Sequence, residues 1–224
     1  MSTFRGWIGE KVTALRLWLS LDTRVYQRFH NVIVPTSNGT TQIDHLLISP
    51  FGLFVIETKN IAGWIFGSKD QHKWTQSLYG KHFSFQNPLL QNYRHTRCLA
   101  DYLDIDHSII HPIVFFTSEC TFKTPMPPNV LRSGLSSHIS GFRQPLLTDR
   151  EIQRIVTAIR TLKADPTLTH RNHMRSLRER HASTSECPKC GAKLVERIAQ
   201  KGPKSGSRFF GCSGYPRCRY TKQA

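Results

Sequence analysis

Acidic residues are scarce in this chain. Fifteen Asp and Glu stand against 31 Lys and Arg in 224 residues, for a formal net charge of +16 and a pI near 10.0. So basic a surface calls for a polyanion, most often nucleic acid and less often an anionic membrane. Long apolar runs are also missing. No stretch approaches the ~18 consecutive apolar residues of a membrane span, so no membrane partner is expected. Arg5, Glu10, Lys11 and Arg16 interrupt any apolar leader at the N-terminus, which excludes a signal peptide. Cysteine is sparse outside one cluster: only Cys98 and Cys120 stand alone, and both read as buried thiols. That usage fits a reducing, cytoplasmic compartment, where clustered cysteines are metal ligands rather than disulfides.

What is present is 38% hydrophobic residues, enough for a packed core. The length suits one domain of ordinary size plus a small appendage. Ile8, Val12, Leu15 and Leu19 mark an apolar line at helical spacing over 4–21. Glu10 falls beside it, either as an edge residue of the helix surface or as a carboxylate aimed inward. Residues 25–34 read as a strand, and two apolar strands follow through Ile43–Ile48 and Leu53–Ile56. Short strand-like stretches lie at 63–67, around Trp74 and at 82–85. Asn87 and Pro88 open a helix reaching about Leu103, with Asn87 as N-cap and Pro88 in the first turn. Gln91, His95, Cys98 and Tyr102 share one of its faces. Residues 109–117 form an apolar, β-branched and aromatic run fit for a buried strand. Residues 121–145 are turn-rich, with one more strand expected near 137–142. Thr148 and Glu151 make a capping box for a helix ending at Asp165-Pro166. The order of elements predicts an α/β domain with a mixed central sheet flanked by helices.

Two acids and a lysine interrupt the apolar hairpin at 41–59. Asp44 breaks the first strand; Glu57 and Lys59 close the second and, two apart, share a face. Ser49-Pro50-Phe51-Gly52 suits a tight turn. If those four residues form the loop, Ile48 pairs with Leu53, Leu46 with Val55 and Asp44 with Glu57. Two carboxylates would then lie side by side, a repulsive arrangement unless a cation lies between them. The competing reading is a solvated strand end with a surface Glu–Lys pair, which leaves Asp44 unexplained among Ile43 and Leu46–Ile48.

Residues 166–224 hold 13 Lys and Arg against 3 acids. Residues 166–185 read as a basic linker containing at most one short helix, with His170, His173 and His181 in solvent. Cys187, Cys190, Cys212 and Cys218 then form two pairs with 21 residues between the second and third thiol. That spacing fits one tetrahedral, structural Zn²⁺. A piece this small cannot bury enough surface to fold unaided, and ligation worth on the order of 10 kcal/mol makes up the deficit. Aromatics alternate with cations around the ligands: Arg208, Phe209, Phe210, Tyr215, Arg217, Arg219 and Tyr220, together with Lys201, Lys204 and Lys222. Such interleaving suits stacked bases and held phosphates; the bland alternative makes one of Phe209 and Phe210 a ribbon core residue.

The phrase CPKCG…FFGCSGYPRCRY resembles the four-cysteine zinc ribbons of type IA DNA topoisomerases, which implies binding of single-stranded DNA by residues 186–224. Roughly residues 6–118, within a first domain read as 1–165, resemble the nuclease-related domain family of the PD-(D/E)xK, restriction-endonuclease-like superfamily. The matching phrases are Gly9-Glu10, Thr41-Gln42-Ile43-Asp44-His45, Gly52–Asn60, Gly63 with Ile65 and Gly67, Trp74, and Asn87-Pro88-Leu89 with Gln91-Asn92. The resemblance implies a restriction-endonuclease-like mixed sheet and a metal-dependent DNA nuclease. Asp44, Glu57 and the Thr58 carbonyl would hold Mg²⁺ or Mn²⁺, and Lys59 would orient or help deprotonate water. Glu10 and Gln91 would complete the site. The alternative is a DNA-binding protein that keeps the fold without catalysis.

Overall fold

The computed structural model describes residues 21–188, 191–203, 205–216 and 218–223. The expected helix at 4–21, and with it Glu10, lies outside the described residues, as do Cys190 and Arg217. Contacts divide the chain into two units. One holds the described residues up to Val34 with Gln42–Asp165; the other holds Pro35–Thr41 with Pro166–Ala224.

In the first unit, five strands form a sheet in the order β1 (Gln27–Thr36), β2 (Gly39–Ser49), β3 (Gly52–Lys59), β7 (Ile110–Phe116) and β9 (Val130–Leu131). β2 and β3 are antiparallel, whereas β3–β7 and β7–β9 are parallel, so the sheet is mixed as expected. The β2–β3 turn is the tight one read from Ser49-Pro50-Phe51-Gly52: Ser49 pairs with Gly52, Ile48 with Leu53 and Leu46 with Val55. Gly52 is required there. Its φ is +110°, and a Cβ would sit 2.5 Å from the Ile109 carbonyl oxygen. Strand β3 is buried from Gly52 through Glu57, which explains why its sequence runs apolar without alternation.

A second sheet joins β6 (Lys81–Gln86), β5 (Lys73–Leu78), β4 (Gly63–Phe66) and β8 (Cys120–Phe122) in that order. β4 follows β3 and β8 follows β7, and the two pairs run parallel in both sheets. Trp74 is fully buried on the inner face, its ring stacked on Phe116 and its indole N–H donating to the Ser68 carbonyl at 2.9 Å.

Helix α1 (Pro88–Leu103) begins as the sequence predicts. Asn87 accepts the Leu89 N–H at 2.9 Å, and its amide donates to the Ser68 and Gln71 carbonyls, so one buried side chain starts the helix and pins the loop before β5. Residues 137–142, expected as a strand, instead lie largely in helix α2 (Leu135–Ser140). Leu135 and Ile139, one turn apart, both reach the core, and six residues are too few to display that period in the sequence. Helix α3 (Asp149–Ala164) carries the expected Thr148–Glu151 capping box and buries Ile152, Ile155, Val156, Ile159 and Leu162. No helix among the described residues is long and apolar enough to cross a membrane.

In the second unit, residues 166–185 hold helix α4 (His170–Ala182). Its inward face takes His173, Ser176 and Arg180 to the 35–41 segment: His173 Nδ1 lies 2.8 Å from the Thr40 hydroxyl, and the Arg180 guanidinium donates to the Thr40 carbonyl. His173 is therefore buried, not solvated as its polar neighbourhood suggested. A three-stranded antiparallel ribbon follows, β10 (Leu194–Ile198), β11 (Arg208–Cys212) and β12 (Thr221–Gln223). The Lys222 ammonium donates to the carbonyls of His181, Ala182 and Ser183, closing the C-terminal end of α4.

Candidate active site

Four of the residues singled out in the sequence converge at the end of β3. Glu57 is buried, with 3% of its surface exposed, at the end of the strand's apolar run. The Lys59 ammonium donates to its Oε1 at 2.6 Å and to Gln91 Oε1 at 2.9 Å. A 16-residue helix thus delivers Gln91 to a lysine 32 positions earlier in the chain. What fixes that helix is Asn92, fully buried, whose amide donates to the carbonyls of Val55 on β3 and Ile113 on β7 at 3.0 and 2.9 Å.

Asp44 lies one residue beyond the β2–β3 ladder, whose last pair on that side is His45 with Ile56. Its carboxylate accepts the Thr58 N–H at 2.9 Å and the Thr58 hydroxyl at 2.8 Å, both on Oδ2. Among the described residues, none donates a hydrogen bond to Oδ1. Burial pushes the Asp44 carboxyl above the ordinary aspartate range and the Glu57 charge pushes it further, against the Thr58 bonds and the Lys59 charge. For Glu57 burial also acts upward, but the bond from His95 and the charge of Lys59 outweigh it, and the carboxyl is held below its ordinary range. The solvated strand end therefore does not describe this hairpin: Glu57 is buried, and the half-buried Asp44 feels its charge.

His95 is the participant that sequence reasoning missed. Its Nε2 lies 3.3 Å from Glu57 Oε2, and it is buried. The signal was present, since Gln91 and His95 are four apart on one helix face, but only the docking of α1 on β3 turns that face toward an acid.

In the second unit, the thiols of Cys187, Cys212 and Cys218 lie within 4.8 Å of one another, and Cys187 Sγ is 3.7 Å from Cys218 Sγ. Three thiols this close, two of them fully buried, form a metal-ligand cluster. Phe210 and Tyr220 pack on this cluster with Leu194, so the Phe of the pair that serves the small core is Phe210. Burial raises the Tyr220 hydroxyl pKa, and the Cys187 charge adds to the rise. Arg208, Arg219 and Tyr215 are exposed, and Phe209 is half-buried. Arg208 pairs with Glu196 at 3.4 Å. Lys222, read from the sequence as a free cation of the tail, is instead engaged by the end of α4.

Residues 5–117 match the family described as nuclease-related domain, and residues 184–224 match the topoisomerase DNA binding C4 zinc finger. An uncharacterized Bacillus anthracis protein is 37% identical over 162 residues, which cover 70% of this chain and 76% of the relative. DNA topoisomerase 1 of Methanothermobacter thermautotrophicus is 34% identical over 80 residues, 34% of this chain but 11% of that enzyme. The Methanocaldococcus jannaschii topoisomerase 1 is 50% identical over 36 residues, 16% of this chain and 4% of the enzyme. No solved structure matches the chain at a significant level.

Proposed function

Since the chain belongs to the nuclease-related domain family and carries a topoisomerase-type zinc ribbon, we propose that it is a divalent-metal-dependent DNA nuclease whose ribbon holds single-stranded DNA. The observation that carries this reading is the constellation of the buried Glu57 with the half-buried Asp44, Lys59 and Gln91 around it. The carboxylates of Asp44 and Glu57 and the Thr58 carbonyl offer oxygens, the ligands that Mg²⁺ and Mn²⁺ prefer. The mutual repulsion of Asp44 and Glu57 is what a cation between them relieves. Asp44, Glu57 and the Thr58 carbonyl would hold the ion. When bound, a divalent ion neutralises phosphate charge and makes a nucleophile of water at neutral pH.

The chain's own groups supply the rest. Glu57 holds the Lys59 ammonium, and Gln91 holds it from the helix side, so its three donors are partly assigned before substrate arrives. The remaining donor capacity orients the attacking water and meets the charge growing on the phosphoryl oxygens. His95 steadies Glu57 from behind, which keeps that carboxylate ionised despite its burial. Glu10, outside the described residues, is assigned to the same site by the family pattern alone. Residues 1–165 form the catalytic domain in this reading, and 186–224 the DNA-holding ribbon.

The test is cleavage of single-stranded and duplex DNA by the full zinc-loaded chain, with and without Mg²⁺ or Mn²⁺. Asp44→Ala and Lys59→Ala are each expected to remove at least roughly 100-fold of the metal-dependent rate, with Gln91→Ala milder. Equal residual activity in wild type and both variants would sink the assignment.

A further inference from the structure

The second sheet has an outer face that the catalytic reading leaves unused. Pairing across the sheet sets Trp64 between Ser77 and Thr121, with His82 beyond Ser77, and Phe66 beside Thr75, with Ser84 beyond it. No acid occupies any of these positions. Trp64 is 52% exposed, although its neighbour Ile65 is fully buried on the opposite face. The Lys123 ammonium lies 4.3 Å from the Trp64 ring centroid. Beside Phe66 the face hollows into a concavity of about 470 Å³, bordered by Lys73, Thr75 and Thr124. An exposed indole under a cation, with a second aromatic two residues on and a second lysine bordering the concavity, has the chemistry of a base-stacking platform with phosphate anchors.

Its place in the chain ties it to the candidate active site. The β3–β7 ladder ends at Lys59 with Phe116, and the β4–β8 ladder begins at Gly63 with Cys120. Trp64 lies five positions after Lys59, so their Cα atoms are at most about 18 Å apart. A nucleic-acid strand entering the catalytic site needs only a few nucleotides to reach the indole.

We propose that Trp64, with Lys123, stacks an unpaired base of the same DNA strand whose phosphodiester enters the Asp44–Glu57–Lys59 site, so that the catalytic domain itself selects single-stranded or frayed DNA. The proposal rests on the nuclease reading above. A duplex presents its base faces only at its ends, whereas every base of a single strand offers a face to the indole. On binding, the base takes the place over the ring and Lys123 moves to the flanking phosphate.

The test is photocrosslinking of the full zinc-loaded chain, without Mg²⁺ or Mn²⁺, to a short single strand carrying 5-iododeoxyuridine, with peptide mapping. A crosslink at Trp64 is expected, retained in large part by Trp64→Phe and reduced roughly 5-fold or more by Trp64→Ala, with Lys123→Gln intermediate. Crosslinks confined to ribbon peptides, or an unchanged yield in Trp64→Ala, would overturn the platform. Equal crosslinking of a blunt duplex would overturn its preference for unpaired bases. The two readings fail separately: metal-dependent cleavage without a Trp64 crosslink removes the platform alone, and a Trp64 crosslink without any metal-dependent cleavage removes the nuclease assignment alone.

Discussion

Replacing Asn92 by Asp changes one atom of its side chain and reverses its hydrogen bonding. In the native protein the Asn92 amide donates to the Val55 and Ile113 carbonyls in a site with no exposed surface. An ionised aspartate would set its charge against two carbonyl oxygens in low dielectric, so the variant folds with that carboxyl protonated. At pH 7, neutralising a carboxyl of ordinary pKa ~3.9 costs about 4 kcal/mol. One of the two donated bonds is also lost, for roughly 1–3 kcal/mol more. The sum is comparable with the whole stability of many domains. The sign follows from proton binding. The variant's folded state keeps a proton that its unfolded state releases, so its stability relative to wild type falls by about 1.4 kcal/mol for each pH unit above the unfolded pKa. Urea unfolding of both proteins at pH 5.5 and pH 7.0 should therefore show a gap about 2 kcal/mol larger at the higher pH. Asn92→Leu removes the same two bonds, along with the buried Oδ1 that has no partner among the described residues, and should show a smaller gap at both pH values. A gap for Asn92→Asp that does not change with pH would refute the claim that Asn92 bolts α1, and with it Gln91 and His95, onto the sheet.

Acid should weaken the wild-type fold before its carboxylates titrate. His111 is held below the ordinary histidine value of 6.5 by burial, and His30 by burial and the Lys163 and Arg28 charges. Both bind a proton less readily folded than unfolded, so the unfolded state takes up more protons and stability declines as pH falls below about 6.5. Thermal melts between pH 8 and pH 5.5 should show the decline, and His111→Gln should flatten it; an unchanged slope would count against a half-buried His111 that resists protonation. For the ribbon, elemental analysis should find one zinc per chain, lost in Cys212→Ser together with folding of the ribbon, since ligation on the order of 10 kcal/mol holds it together. Stoichiometric zinc in that variant would remove Cys212 from the ligand set.

Much of the first unit was legible because its signals are local. The Ser49–Gly52 turn set the β2–β3 register, and with it the nearness of Asp44 and Glu57. Asn87-Pro88 and Thr148–Glu151 fixed the starts of α1 and α3. What escaped depended on distant partners or on very short elements. His95 looks like any helical histidine until α1 docks on β3 and sets it against Glu57. His173 sits in a polar, basic stretch, and its burial comes from Thr40, 133 positions away. Helix α2 is a turn and a half, too short to show a period, and the serines around Leu135 and Ile139 made it resemble a loop or strand. Lys222 could not be separated from the ribbon's other cations until β12 brought it to the carbonyls that end α4.

The central claim is that Asp44 and Glu57 share a divalent ion in service of phosphodiester hydrolysis. Counting bound Mn²⁺ on the zinc-loaded full chain tests it most directly. The account predicts one Mn²⁺ per chain beyond the zinc, lost in Asp44→Asn and retained in Cys212→Ser. Absence of Mn²⁺ binding in wild type, or binding that survives Asp44→Asn unchanged, would contradict it.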